Sequence, residues 1–321
     1  MSSSSSSSGS GYGKLSSNSV RNLAVRDVLK TEEKIDLSPR ERRELSNELT
    51  VEEEQIQTWI QALNRKKGSV FYGPPGTGKT FAARKIAEKV TEDTSNEFGI
   101  VQFHQSYEYE DFIQGIRPVL EDDSGSDNLS YELQKGKFYK FCKQAEKLSG
   151  PCIMIIDEVN RADVSSVFGE LMYLLEYRDE KIHLAQDSED DEEFSIPKNV
   201  YIIGTMNTAD RSIALVDFAL RRRFAFLPMY PNYDVLREKF DAEEVEVEDL
   251  IDQLEEINEE IGDRQYSLGY SYFLDAGMRE DVKSIWRLEI EPYLEEYFVD
   301  DQDTVDDYRW DAIEDDIGDG T

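Results

Sequence analysis

Two clusters in this chain of 321 residues combine side-chain types and spacings suited to phosphate chemistry. The first is Gly73-Pro74-Pro75-Gly76-Thr77-Gly78-Lys79-Thr80, a G-x-x-x-x-G-K-T pattern. Glycines at those positions let successive backbone N–H groups turn inward on a triphosphate, and a helix opening at the lysine adds the partial positive charge of its N-terminus. Lys79 is placed to reach the β and γ phosphates, and the Thr80 hydroxyl to ligate Mg2+. The second is Asp157-Glu158, which closes the apolar run Cys152-Ile153-Met154-Ile155-Ile156. An aspartate at the carboxyl edge of a buried strand can hold the magnesium shell, usually through water, and the adjacent glutamate can polarise an attacking water. Asn207, a polar residue just past the apolar run Val200 to Thr205, is placed to orient that water. Arg221-Arg222-Arg223 form a basic cluster that, in so acidic a chain, reads as facing phosphate.

These groups need a scaffold, and the flanking patterns supply one. The apolar run Ser69 to Tyr72 precedes the glycine loop, and Ala82, Ala83, Ile86, Ala87 and Val90 follow it at helix spacing. The run Cys152 to Ile156 is apolar at every position, as in a strand buried on both faces of a parallel sheet. Ile100 to Phe103 reads as a further strand. The stretch around Gly125 reads as a loop before a helix carrying Phe138, Phe141, Cys142, Ala145 and Leu148 on one face. A helix is expected from about Ser165 to Glu176, and Lys181 to Lys198 suggests a hairpin with a solvated tip around Asp187 to Glu193. Upstream, Ser38-Pro39-Arg40-Glu41 looks like a helix start. Thr50 and Glu53 suggest a capping box for a helix carrying Ile56, Trp59, Ile60 and Leu63, with Gly68 as its terminator.

Strand-loop-helix units with phosphate chemistry at strand ends imply an α/β domain with a central parallel sheet and its ligand at the carboxyl edge. Beyond Pro231 the pattern turns helical, with Leu250, Leu254, Ile257 and Ile261 in a stripe ended by Gly262. The resulting division is 1–49, a disordered Ser-rich tail and short polar helical arm; 50–230, the α/β domain; 231–299, a small helical domain; and 300–321, an acidic mobile tail.

The chain has 36 Lys and Arg against 69 Asp and Glu, a formal net charge of −33. Such an excess, spread over loops and helix faces, favours adaptation to high salt over a dedicated acidic docking surface. It also argues against broad attraction to nucleic acid by this chain alone, an objection that weakens in molar salt where charges are screened within a few ångströms. Cys142 and Cys152 are the only cysteines and both sit in apolar patterns, which points to a reduced, cytoplasmic setting. His104 and His183 lack the companions of a zinc site. No apolar run reaches the roughly 18 residues of a membrane span.

With these parts placed, the chain resembles the AAA+ P-loop NTPases. It is more specifically similar to the GTPase subunits (McrB) of McrBC-type restriction systems, which act on DNA carrying modified cytosine. The carriers are Val101 to Tyr107 with Tyr109-Glu110-Asp111-Phe112, Ile156 to Ala162, Met206 to Ser212 running on through Ala219 to Phe224, and Gly269-Tyr270-Ser271-Tyr272-Phe273 in a helical lid. The resemblance covers about Thr50 to Val299. It implies that Gly73 to Thr80 is the Walker A loop, Asp157 and Glu158 the Walker B pair, and Asn207 the sensor. Arg222 and Arg223 would act as arginine fingers on a neighbouring subunit's nucleotide, which implies a homo-oligomeric ring, a hexamer in this family. It further implies GTP hydrolysis stimulated by a McrC-like endonuclease subunit, with DNA engaged by the assembled complex.

The sequence supports alternatives on three points. Family members that bind methylated DNA carry an N-terminal recognition domain, and here about 50 polar residues precede the NTPase module; another subunit supplies recognition, or the chain is truncated or diverged. Asn207-Thr208-Ala209-Asp210 is either a guanine-reading stretch with Asp210 as acceptor or a sensor followed by a structural acidic residue, so the substrate is GTP or ATP. The alternative to the restriction reading is a chaperone-type, MoxR-like AAA+ ATPase that remodels protein complexes.

Overall fold

The fold is a computed structural model that describes residues 34–92, 97–121, 128–188, 191–209, 218–242, 247–274 and 279–317. The Ser-rich segment and Asp210 lie outside the described residues. The first helix, α1 (Pro39–Leu49), opens on a capping box in which the Ser38 hydroxyl accepts from the Glu41 N–H and the Glu41 carboxylate accepts from the Ser38 N–H. Thr50 does not start the next helix. It closes α1 in the left-handed conformation (φ 50°), so α2 (Glu53–Lys66) begins after Glu52 with no side-chain cap. Lys67, at φ 57°, closes α2, and Gly68 becomes the first residue of β1 (Gly68–Gly73).

The glycine loop leads from β1 into α3 (Lys79–Thr91), then β2 (Phe98–Gln102), a short α4 (Tyr109–Phe112), and an antiparallel hairpin of β3 (Gln114–Glu121) and β4 (Asn128–Lys135). Helix α5 (Lys137–Ala145) leads to β5 (Cys152–Asp157); α6 (Val164–Phe168) and α7 (Leu171–Glu176) precede β6 (Val200–Asn207), α8 (Phe218–Arg223) and β7 (Ala225–Pro228). The central sheet runs β2-β5-β6-β1-β7 and is parallel throughout. Strand alternation sends Cys152, Met154 and Ile156 into the core on one face and Ile153 and Ile155 into the core on the other. That two-sided burial explains the unbroken apolar run.

Several expectations are corrected. Residues 34–49 of the expected arm pack on the domain: Ile35, Leu37, Leu45 and Leu49 are buried against the sheet face shared with α2 and α3. The stretch before α5 contains the β3–β4 hairpin, whose alternation places Ile116, Leu129, Tyr131 and Leu133 on one exposed face. The helix expected over Ser165 to Glu176 breaks in two at Gly169, which takes a left-handed φ of 48°. In the segment after α7 an antiparallel bridge joins Ile182 to Phe194 and Ser188, Asp191, Glu192 and Glu193 are exposed, as a hairpin with a solvated tip requires, but Asp187 at its edge turns inward to accept from the Leu184 N–H (2.8 Å) and the Gln114 amide (3.0 Å).

Beyond β7 lies a helical domain with its own core: α9 (Asp234–Ala242), α10 (Glu248–Ile261), α11 (Arg279–Ile285), a π turn (Trp286–Ile290), α12 (Glu291–Tyr297), α13 (Gln302–Asp307) and α14 (Trp310–Ile313). Gly262 ends α10 in the left-handed conformation. Residues 300–317 of the acidic C-terminal stretch are folded onto the lid where a mobile tail was expected. Trp310, Ile313 and Ile317 are buried in the lid core, and Trp310 packs edge-on to Trp286 with ring centroids 6.4 Å apart. Among the described residues no helix is long and apolar enough to cross a membrane.

Because Trp310 is fully buried, Trp310→Ala is expected to destabilise the lid by about 3–5 kcal/mol. Val299→Ala, at a position 67% exposed, should change stability by less than about 0.5 kcal/mol. Urea denaturation followed by tryptophan fluorescence and far-UV circular dichroism checks both.

Candidate functional site

Three parallel strands bring the site together. β6 lies between β1 and β5, with Gly73 level with Asn207 and Ile156 level with Gly204. The glycine loop, the Asp157-Glu158 pair and Asn207 therefore emerge side by side at the carboxyl edge. The Thr208 N–H donates to the Gly73 carbonyl (3.0 Å), tying the exit of β6 to the start of the loop.

Within the loop, Gly76 (φ 76°) and Gly78 (φ 78°) occupy the left-handed region. Lys79 is folded back over it, its ammonium donating to the Pro74 carbonyl (2.5 Å), and the Thr77 hydroxyl donates to the same carbonyl (3.1 Å). Burial pulls the Lys79 ammonium down to about 8, opposed by the charges of Glu158 and Asp157. The side chain is thus held among backbone dipoles at the position where phosphate charge would favour it.

The acidic half is a hydrogen-bonded cluster. Asp157 Oδ1 accepts from the Thr80 hydroxyl (2.7 Å) and from the Thr205 hydroxyl (2.6 Å), while the Glu158 N–H donates to Thr205 Oγ1 (3.1 Å). Glu158 sits in the left-handed region at φ 54°, ψ 48°, an uncommon conformation for a residue with a side chain. Its carboxylate accepts from the Asn207 amide (2.5 Å) and lies 3.6 Å from Arg161 Nε. The Asn160 amide donates to the Asn207 carbonyl (3.0 Å), so the turn after β5 braces the end of β6.

The donor set suits a hard divalent cation. Thr80 and Asp157 offer oxygen atoms only, and among the described residues no group of three His, Cys, Asp or Glu side chains could hold a metal alone. Mg2+ fits such a site, because it keeps several waters and takes its remaining ligands from phosphates.

The lid reaches the loop directly. The Tyr270 hydroxyl donates to the Thr77 carbonyl (3.1 Å), and the Ser271 N–H donates to the Gly76 carbonyl (3.0 Å). A Cβ at Gly269 would lie 2.2 Å from the Gly76 carbonyl, so backbone meets backbone there. Arg222 and Arg223 pair elsewhere: both approach Glu176 Oε2, Arg223 at 3.2 Å, and the Arg222 side chain is 67% exposed. Sequence reasoning placed the glycine loop, Asp157, Glu158 and Asn207 together, and the geometry does the same. It missed Thr205, Asn160, Arg161 and the loop-facing role of Tyr270. The signal for Thr205 was available, since a lone hydroxyl two positions before Asn207 shares its strand face.

Residues 68–224 match the AAA domain (dynein-related subfamily), and residues 249–306 match the McrB alpha-helical lid domain. The chain is 43% identical over 280 residues to the type IV methyl-directed restriction enzyme EcoKMcrB subunit of Escherichia coli (strain K12), covering 79% of this chain and 59% of that protein. It is 28% identical over 213 residues to the type II restriction enzyme BsuMI component YdiS of Bacillus subtilis (strain 168), covering 52% of this chain and 62% of that protein. The chain thus spans about three-fifths of the length of both curated relatives.

The Lys79 position gives a pH prediction. Above about 8 the buried amine is largely neutral, and a bound triphosphate favours its charged form, so binding takes up a proton there and affinity falls as pH rises. Calorimetry at about pH 9 in buffers of different ionisation enthalpy should show this uptake, and Lys79→Met should abolish it.

Proposed function

We propose that this chain, an AAA nucleoside triphosphatase carrying an McrB-type helical lid, is the Mg2+-dependent motor subunit of a modification-dependent restriction system. The observation that supports the enzymatic half is the linked set Thr80, Asp157, Glu158 and Asn207 beside the glycine loop. Support for the system comes from the two restriction-enzyme relatives together with the McrB lid.

In this reading the N–H groups of Gly76 to Thr80 and the Lys79 ammonium bind the β and γ phosphates. Thr80 and Asp157 hold Mg2+, which when bound neutralises phosphate charge. Glu158 accepts a proton from the attacking water, and the Asn207 amide holds both that carboxylate and the water in line. Arg222 and Arg223 leave Glu176 to stabilise transition-state charge in the neighbouring subunit. Each site is then complete only in a ring, which we take to be a hexamer. GTP is the substrate indicated by family resemblance. A McrC-like endonuclease subunit stimulates turnover, and DNA is engaged by the assembly.

Phosphate release from GTP and from ATP, measured in high potassium chloride, tests this. Wild type should turn over GTP, with a rise on adding the nuclease subunit and DNA, and Glu158→Gln should lower turnover by about 10²- to 10⁴-fold. Use of ATP with no response to nuclease or DNA would instead indicate a chaperone-type remodelling ATPase. The arginines have a separate check: Arg222→Ala/Arg223→Ala and Lys79→Met should each be inactive alone, and a mixture should regain part of the activity. A mixture that stays inactive would remove the arginines from the neighbouring site.

A further inference from the structure

Thr205 interrupts an apolar strand. Residues Val200 to Ile203 before it are buried hydrophobics, and Thr205 itself is 2% exposed. A buried hydroxyl in such a place is ordinarily satisfied by a neighbouring carbonyl and carries no further consequence. Here its partners are instead the two adjacent acidic residues of the site. Thr205 Oγ1 donates its proton to Asp157 Oδ1 (2.6 Å) and accepts from the Glu158 N–H (3.1 Å). The direction of both bonds is fixed by chemistry. An ionised carboxylate only accepts and a backbone N–H only donates, so the hydroxyl's single proton belongs to Asp157 and a lone pair to Glu158.

We infer that Thr205 is a positioning residue that sets both carboxylates of the hydrolytic site at once: the side chain of Asp157 and, through its backbone, the left-handed turn that aims Glu158. This rests on the enzymatic reading above. Thr80 shares Asp157 Oδ1 but is also the proposed metal ligand, which leaves Thr205 as the donor with no second task. The geometry of Glu158 adds to the argument. At φ 54° the residue is held in a sparsely populated conformation, and such residues persist where surrounding bonds over-determine them. The bond from its N–H to Thr205 enters that turn from the strand side. The Asn207 amide, on the same strand face as Thr205, holds the far end of the same residue. One strand therefore fixes Glu158 at both its backbone and its carboxylate.

The test compares Thr205→Val, which keeps the shape and loses both bonds, with Thr205→Ser, which keeps both bonds and loses a methyl group. Binding of a fluorescent guanine nucleotide is measured with Mg2+ and with EDTA, beside kcat and KM for hydrolysis. The expected result for Thr205→Val is EDTA-state affinity within about twofold of wild type, loss of most of the affinity gained from Mg2+, and kcat lowered at least about tenfold with KM changed less than about threefold. Thr205→Ser should stay within about threefold of wild type in every readout. The inference is overturned if Thr205→Val retains wild-type kcat and magnesium response, if it loses EDTA-state binding as well, or if Thr205→Ser is as impaired as Thr205→Val. A wild type that binds neither the guanine probe nor its adenine counterpart would overturn the enzymatic reading and this one together.

Discussion

Everything at the site depends on the register of three parallel strands. β6 pairs with β1 and β5 together, and its pairing places Gly73, Asn207 and the end of Ile156-Asp157 at one edge. The turns that follow these strand ends are the parts of the proposed site: the glycine loop, the Glu158 turn and the Asn207 exit. The strands could not be held so without burial on both faces. Leu45 and Leu49 of α1 help provide that burial on one side, and Phe138, Phe141 and Phe168 on the other.

The parts most legible in sequence were those governed by local rules. The glycine loop and the Gly262 helix stop follow from a backbone requirement that glycine meets, and the unbroken apolar run before Asp157 from burial on both faces of the sheet. The misreadings share a cause in tertiary context. Thr50 has the chemistry of a helix cap, yet its left-handed φ of 50° spends it on closing the preceding helix. Residues 300–317 are rich in Asp and Glu, but a few large apolar side chains anchor them: Trp310, Ile313 and Ile317 are buried in the lid core, with Trp310 packed edge-on to Trp286. The β3–β4 hairpin was hidden because its alternation was masked by the Gly/Ser/Asp stretch between its strands. Thr205 was legible as a polar residue on the Asn207 face of its strand, but its partners were not, because they belong to β5 and the turn after it.

The net charge of −33 finds a structural counterpart in where the cations sit. Lys85 pairs with Glu48 and Lys89 with Glu44, each at 2.9 Å, clamping α1 to the helix that follows the glycine loop. Arg309 spans Asp306, Glu291 and Glu295 in the C-terminal part of the lid. Individually such exposed pairs contribute little. These pairs add to the apolar burial of Leu45 and Leu49 in α1 and of Trp310 and Ile313 in the lid, joining the same segments at their rims.

The contact between Gly269 and Gly76 carries a consequence for heredity. At this point the lid meets the phosphate loop backbone to backbone, beside the Tyr270 hydroxyl bond, and position 269 has no room for a side chain. A single base change that adds even a methyl group at Gly269 would act as a wedge, prising the modules apart without altering one residue that touches the chemistry.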